Sequence, residues 1–451
     1  MIGWFFRYRK RDGWSREKIE SYQAESLKSL REYAYKNSPF YQKFHAGLTD
    51  APLSELPVLT KAVLMKNWDE VVTDRSLKLE DVQKFVENLK KPEMYHGKYY
   101  VLNTSGTTGR KAVLIYNKDE WGAELSTSVK CHTLMGCPIK TLKVAYLNTT
   151  ASRHFSALME TSLPARLASY VLISVMEPLE NKVAKLNYFQ PYILIGYPGE
   201  FRALAQEQIA GRLKISPAKV IGVAEVLTKE ERKLFHEAWG AEVFNLYATT
   251  ETGLLAMECS EHNGLHIFED MVIVEVVDKD NKPVKPGEYG YKLLVTVLFN
   301  RTLPLIRYEI DDSVLLSEKK CSCGSSYRMI EDIRGRVEDI VYMPDRSGNK
   351  VQISPYFFFN QLKYVPIAGW QIVQETERRI KIVITGPKAM FDKEKLKTTM
   401  SGALKSLGVD EPEINVEQVA EISRTAGGKT VLIKAFGVPE KPEIVPKPLV
   451  P

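Results

Sequence analysis

No stretch of this 451-residue chain approaches the roughly 18 apolar residues of a membrane-crossing helix. Cysteine is scarce. Five cysteines, an odd number, in a chain this long do not make a disulfide scaffold. Charge of one sign is lacking too: 62 Lys and Arg face 56 Asp and Glu, for a net charge of +6. No basic stripe interleaved with aromatics is visible, so nucleic acid is not expected as a partner. The small positive excess fits a weak anion bias or plain solubility. No internal repeat is found. The N-terminus, MIGWFFRYRKRDGW, is too short in apolar residues for a signal peptide, and its charges follow the apolar stretch instead of preceding it. Its aromatics are expected to dock on the protein body. The expected location is cytoplasmic, with no transmembrane segment; assembly is open, a homodimer included.

What is present is ample apolar residue, 44%, with 26% charged. Length alone allows about three domains. Residues 14–46 read as helix, capped by Ser15, with Ile19, Tyr22, Leu27, Leu30 and Tyr33 on one face. A two-proline connection covers 51–58, and 61–90 read as helix again. From Tyr99 short apolar runs alternate with helical stretches such as Lys229 to Ala238: VLIYN (113–117), KVAYLN (143–148), YVLISV (170–175), YILIGY (192–197) and KVIGVA (219–224). That alternation predicts an α/β domain with buried strands. From about Ile267 to Val314 the pattern turns antiparallel. After Arg336 a smaller α+β module is expected: strand 380–386, helix 393–407, strand 430–437. Five prolines in the last fourteen residues predict an extended, mobile tail. The expected divisions are a helical part (1–98), an α/β core with an antiparallel subdomain (99–335), a small C-terminal domain (336–437) and the tail (438–451).

Between two strand-like runs lies NTSGTTGRK, where six of the seven residues from Asn103 to Gly109 carry a hydroxyl or are glycine. Glycines let backbone N–H groups approach an anion, hydroxyls add directed bonds, and Arg110 and Lys111 add charge. A polyphosphate suits such a loop, although the order is not that of a Walker A loop; a polar β-turn would use the same residues. YATTETG follows the apolar run VFNL, so Glu251 beside Thr249 and Thr250 could hold Mg²⁺ at a strand end. PLIRYEIDD places two carboxylates after a buried strand, where they could accept from ribose hydroxyls. RGRVEDIV supplies a Gly-Arg turn, and SRTAGGKT sets Lys429 after two glycines. Cys259 and His266, with spacing C-x6-H, followed by Cys321-Ser322-Cys323, offer three thiolates and one imidazole to a tetrahedral Zn²⁺. Reduced thiols and an unrelated core histidine are the alternative, and His262 competes with His266. Cys131 and Cys137 sit in helix-like sequence and read as ordinary buried thiols.

In this order and spacing the motifs resemble the adenylate-forming superfamily of acyl-CoA synthetases, nonribosomal adenylation domains and luciferases, from about residue 100 to 430. The finer resemblance is to the phenylacetate–coenzyme A ligase branch, with its capsule-locus and coenzyme F390 synthetase-like proteins. It rests on LREYAYKNSPFYQKF, GLHIFED (264–270), LPLIRYEIDD and CSCGSSYRMIEDIRGRVED. The fold implied is a large, multi-subdomain α/β N-terminal domain and a small mobile α+β C-terminal domain. The resemblance implies that Thr104, Ser105, Thr107, Thr108 and Lys111, with Gly106 and Gly109 between them, hold the ATP phosphates. It puts Tyr247 beside the adenine or acyl site with Thr250, Mg²⁺ on Glu251, the ribose on Asp312, Arg336 on phosphate or ribose, and the hinge at Glu338. Lys429 would bridge the carboxylate and α-phosphate. Lys429, Glu251 and Arg336 are the expected catalytic residues. Relatives of this branch also carry a structural zinc at these Cys/His positions.

The implied activity is ATP-dependent adenylation of an aromatic or arylacetic acid, then transfer to coenzyme A. Adenylation of a cofactor hydroxyl, acyl transfer to another acceptor, and a non-catalytic nucleotide-binding protein are the alternatives. Residues 147–157, 222–225 and 246–249 would form the acid pocket, with Gly222 and Ala224 leaving room for a flat ring. Departures from the family pattern are Lys111 for proline, Ala248 for glycine, Asp311 for glycine, Glu338 for aspartate, Ser423 for proline, and no basic residue shortly after Lys429. They leave the adenylation charges in place and bear more on the second half-reaction.

Overall fold

The computed structural model describes residues 11–89, 91–103, 112–138, 142–148, 155–162, 168–175, 177–225, 227–336, 340–353, 355–362, 365–387, 390–425, 431–437 and 443–444. The chain is mixed α/β and divides into a large N-terminal and a smaller C-terminal unit, with the main change at Ile333/Arg334. The short segment Asp311–Ser313 groups with the smaller unit. No described helix is long and apolar enough to cross a membrane.

The expected helix over 14–46 is two helices, Arg16–Asn37 and Pro39–Phe44. Proline at 39 pushes Ser38 out of the helical region. Ser38 is extended (φ −117°, ψ 113°), and its hydroxyl caps the second helix at Tyr41 N. Ser15 caps the first, accepting from Lys18 N. The expected helix over 61–90 is three pieces, Lys61–Lys66, Trp68–Val71 and Leu79–Glu87. Trp68 is fully buried and donates from its indole to Val113 O at 2.9 Å, tying this region to the first strand pair.

That pair is β1 (Tyr99–Asn103) and β2 (Val113–Asn117), antiparallel with Asn103 opposite Val113. Next come β3 (Leu142–Asn148), β4 (Ala168–Ser174), β5 (Ile193–Gly196), β6 (Lys219–Val223), β7 (Glu242–Thr249), β8 (Gly253–Glu258) and β9 (Leu265–Ile267). β10 (Val272–Val277), β11 (Lys292–Val297) and β12 (Tyr308–Ile310) form a separate antiparallel sheet. β13 (Asp312–Leu316) and β14 (Met329–Arg336) rejoin the main sheet.

The main sheet has nine strands in the order β13-β14-β9-β8-β7-β6-β5-β3-β4. β4, β3, β5, β6 and β7 run parallel; β8, β9 and β14 are antiparallel to their neighbours. Successive strand residues point to opposite faces, and here they enter different cores. Val144 and Tyr146 pack in one cluster, Ala145 and Leu147 in the other. Ile221 and Phe244 join the first; Val220 and Val243 join the second. Burial on both faces explains the near-continuous apolar runs. Helix Lys229–Trp239 covers the second core, opened by a Thr228–Glu231 capping box and closed by Gly240 at φ +66°.

In the smaller unit β15 (Val341–Pro344) pairs with β16 (Lys350–Ile353). β17 (Gly369–Gln374) and β18 (Arg379–Thr385) form a hairpin, β19 (Glu413–Gln418) adds parallel to β18, and β21 (Ile433–Lys434) adds parallel to β17. Helix Lys393–Ser406 buries Leu396, Met400 and Leu404 in this unit's own core. The expected strand over 430–437 thus keeps two residues, and its first residue lies outside the described residues. In the tail, Glu443–Ile444 (β22) pairs antiparallel with Arg424–Thr425 (β20). An extended tail was the expectation; the structure adds a backbone partner, which extended residues accept readily.

Candidate active site and metal cluster

β7 ends in the hydroxyl-rich segment Ala248-Thr249-Thr250-Glu251-Thr252. A bulge between Tyr247 and Ala248 breaks the β7–β8 ladder there and re-aims the residues that follow. The Thr249 hydroxyl then shapes the turn: it accepts from Thr252 N at 3.1 Å and lies 2.9 Å from Thr252 Oγ1. Glu251 is half-buried, and among the described residues it makes no ion pair. A carboxylate so placed, with threonine hydroxyls beside it, suits a hard divalent cation that keeps most of its other ligands from water and phosphate.

The turn rests on helix Lys118–Leu134. This helix opens with a capping box, Asn117 and Glu120. Glu120 is also buried, which raises its carboxyl, and its Oε1 accepts from Arg301 N at 2.9 Å and Thr302 N at 2.8 Å. One turn on, Glu124 is fully buried and accepts from Leu254 N at 3.0 Å. Burial pushes its carboxyl up to about 8. Tyr116 from β2 lies 3.5 Å from the Glu251 carbonyl. Burial first, then the nearby Glu124, Glu251 and Glu120 carboxyls, hold its phenol well above the usual range.

The LPLIRYEIDD segment is braced rather than open. Arg307, at φ +54° and 3% exposed, pairs with Glu275 at 3.1 Å. Tyr41 donates to Pro304 O at 2.8 Å. Asp312 opens β13 and is half-buried.

A second constellation lies at the other end of the sheet. Cys259 follows β8, His266 lies in β9, and Cys321 and Cys323 lie in the β13–β14 connection. Their ligand atoms all fall within 4.8 Å of one another. Cys259 Sγ and Cys321 Sγ are 3.6 Å apart; Cys323 Sγ and His266 Nε2 are 3.4 Å apart. With Zn–S of about 2.3 Å and Zn–N of about 2.0–2.1 Å, a regular tetrahedron has S···S edges of about 3.8 Å and S···N edges of about 3.6 Å. The cluster is therefore already the size of a zinc cage. Burial pushes the Cys259 thiol up to about 12 and raises Cys323, while it lowers His266. The neutral imidazole is ready to ligate, and a bound dication would reverse the thiol shifts. His262 is not part of it; its ring lies tilted against Phe244, and it faces Glu242 and Glu258 at 3.2 and 3.4 Å. β8 separates this cluster from the Glu251 turn by six residues, roughly 20 Å of strand.

The chain matches no family model. Over 340 residues it is 27% identical to a phenylacetate-coenzyme A ligase of Thermus thermophilus, covering 72% of each chain. It is 26% identical to the CapK protein of Staphylococcus aureus over 309 residues, 66% of this chain and 63% of that one. Among solved structures, a 2-hydroxyisobutyryl-CoA ligase bound to its acyl-AMP superimposes with a TM-score of 0.73 at 19% identity, covering 96% of this chain and 92% of that one. The chain shares the fold of that acyl-CoA ligase and resembles phenylacetate-coenzyme A ligase in sequence.

In sequence the glycine-rich segment lies between β1 and β2, which pair antiparallel. Thr104, Ser105, Gly106, Thr107, Thr108, Gly109 and Lys111 lie outside the described residues, as do Glu338 and Lys429. Arg336 closes β14, and its side chain is outside them too. The structure brings Thr249, Thr250 and Glu251 together and gathers the four metal-ligand candidates. Tyr247 lies in β7, buried; Asp312 and Arg336 fall in the smaller unit.

Two readings need correction. Gly222 does not leave room for a ring. A Cβ there would stand 3.2 Å from Pro198 Cγ and 3.5 Å from Leu227, so that space is filled. Cys137 does not sit in a helix; it follows the turn that closes Lys118–Leu134, while Cys131 is inside it and buried. Sequence reasoning missed Glu124, Glu120 and Tyr116. Asn117 with Glu120 was a legible capping box; nothing in the sequence marks Glu124, whose partner is 130 residues away.

Proposed function

We propose that this protein activates a carboxylic acid with ATP as an acyl-adenylate and then passes the acyl group to coenzyme A. The carboxylate oxygen attacks the α-phosphorus and pyrophosphate leaves; the thiol then attacks the acyl carbonyl and AMP leaves. The observation that carries this reading is the alignment with a phenylacetate-coenzyme A ligase over 72% of both chains, joined to a Glu251 carboxylate just past β7 that makes no ion pair among the described residues.

Each residue has a part. The hydroxyls and amides of 104–109, with Lys111, cradle the phosphates. Glu251 holds Mg²⁺, which neutralises phosphate charge when bound. Asp312 accepts from the ribose hydroxyls, and Tyr247 walls the adenine or acyl pocket. Lys429 and Arg336 place positive charge where the carboxylate and α-phosphate converge. Glu338 is the hinge about which the small unit turns between half-reactions. Cys259, His266, Cys321 and Cys323 hold Zn²⁺. With four protein ligands and no open position, that metal is structural.

An aromatic or arylacetic acid is the substrate class. The test is incubation with ATP, Mg²⁺, coenzyme A and a panel of aryl, arylacetic and aliphatic acids, with AMP and acyl-CoA read by mass. An aryl thioester with equimolar AMP is expected. AMP-dependent activation without thioester would transfer the second half-reaction to another acceptor; no activation of any acid would overturn the reading.

A further inference from the structure

We propose that Glu124 is a positioning residue for the Glu251 turn, and that it acts on divalent-cation binding by holding the Leu254 amide beneath Gly253. The proposal rests on the adenylation reading above, which supplies the cation and the nucleotide.

Three observations converge. Glu124 Oε1 takes the Leu254 amide at 3.0 Å, the first amide after Glu251-Thr252-Gly253. Gly253 has φ +72°, and a Cβ there would fall inside the Glu124 carboxylate, so the turn lies directly on that group. Glu124 Oε2 is buried with no hydrogen-bond partner, and among the described residues no cation pairs with the carboxylate. Taking a carboxyl out of water with one oxygen left without a partner costs about 1–3 kcal/mol. A well-packed apolar side chain would fill the same place in the helix without that cost. The structure shows one use for the acceptor: it fixes a backbone amide in β8, one residue before the buried Leu255 and three after Glu251. Thr127 does not account for it, since its hydroxyl donates to Glu124 O at 2.6 Å and only reaches Oε1 at 3.5 Å.

The test reads binding, not turnover. ATP affinity is measured by calorimetry with and without Mg²⁺, for the wild type, Glu124→Met and Glu124→Gln. Methionine fills the volume without an oxygen acceptor; glutamine keeps the acceptor and drops the ionisable group. The proposal expects Glu124→Met to cut the Mg²⁺-dependent gain in ATP affinity about tenfold, with affinity in the absence of Mg²⁺ unchanged, and Glu124→Gln to restore the gain. If Glu124→Met does not fold, Glu124→Asp, which withdraws the carboxylate by one methylene, takes its place. An unchanged Mg²⁺ gain in these variants would overturn the proposal. So would an equal loss with and without Mg²⁺, which marks general support, or a glutamine variant as impaired as methionine. A wild type that binds no ATP at all would instead remove the adenylation reading itself.

Discussion

Gly253→Ala puts the packing beneath the Glu251 turn to a direct test. Alanine at φ +72° is strained, at about 1–2 kcal/mol for an L-residue in the left-handed region. Its Cβ also needs the space of the Glu124 carboxylate. Displacing that group strands the part-buried Leu254 amide, which costs about 1–3 kcal/mol. The sum is a loss of about 2–5 kcal/mol from the large unit. The two parts separate in a double-mutant cycle. With Glu124→Ala already in place, Gly253→Ala should cost only the backbone part, about 1–2 kcal/mol, leaving a coupling of about 1–3 kcal/mol. Urea unfolding gives the numbers, read by fluorescence from Trp68 and Trp121, both buried in the large unit's core. Additive losses, with a coupling under about 0.5 kcal/mol, would refute the argument. So would a Gly253→Ala protein as stable as the wild type.

Protein purified without added metal should carry about one zinc per chain by elemental analysis; Cys321→Ser should lose most of it and unfold at a lower temperature. His45 should make stability fall with acid. Burial first, then Arg31, lowers it to about 4. The unfolded chain binds its proton near 6.5, so the His45 contribution is present above that pH and is lost as pH falls toward 4. The full loss is about 3 kcal/mol, and urea midpoints at pH 7 and 4.5 should show a smaller drop in His45→Phe. Lys429→Ala should slow adenylate formation about 100-fold or more, whereas Glu338→Pro should slow thioester formation much more than adenylate formation; equal losses in both steps would count against the hinge.

Much of the strand plan was legible, because strands buried on both faces need runs such as KVAYLN and YILIGY. The breaks at Ser38-Pro39 and Asn67 were not read, since apolar periodicity continues across them and only the cap geometry divides the helices. The metal cluster was legible in Cys259, His266, Cys321 and Cys323 because thiol and imidazole at short spacings have few other uses; choosing His266 over His262 needed the sheet register that sets His266 opposite Met329. The Glu251 turn could be found by its hydroxyls, but its support could not. Glu124 looks like any surface glutamate of an amphipathic helix, and only the tertiary fold buries it. Gly222 misled for the same reason: an absent side chain reads as open space until the neighbour that fills it is seen.

The most direct test of adenylation is ATP–pyrophosphate exchange in the absence of coenzyme A, run with an arylacetic acid panel on the wild type and on Glu251→Gln. The account predicts acid-dependent exchange in the wild type and a fall of about 100-fold or more in Glu251→Gln, because reversal requires a bound acyl-adenylate and the cation proposed to bind at Glu251. Absence of exchange with every acid, in protein that binds ATP, would contradict it.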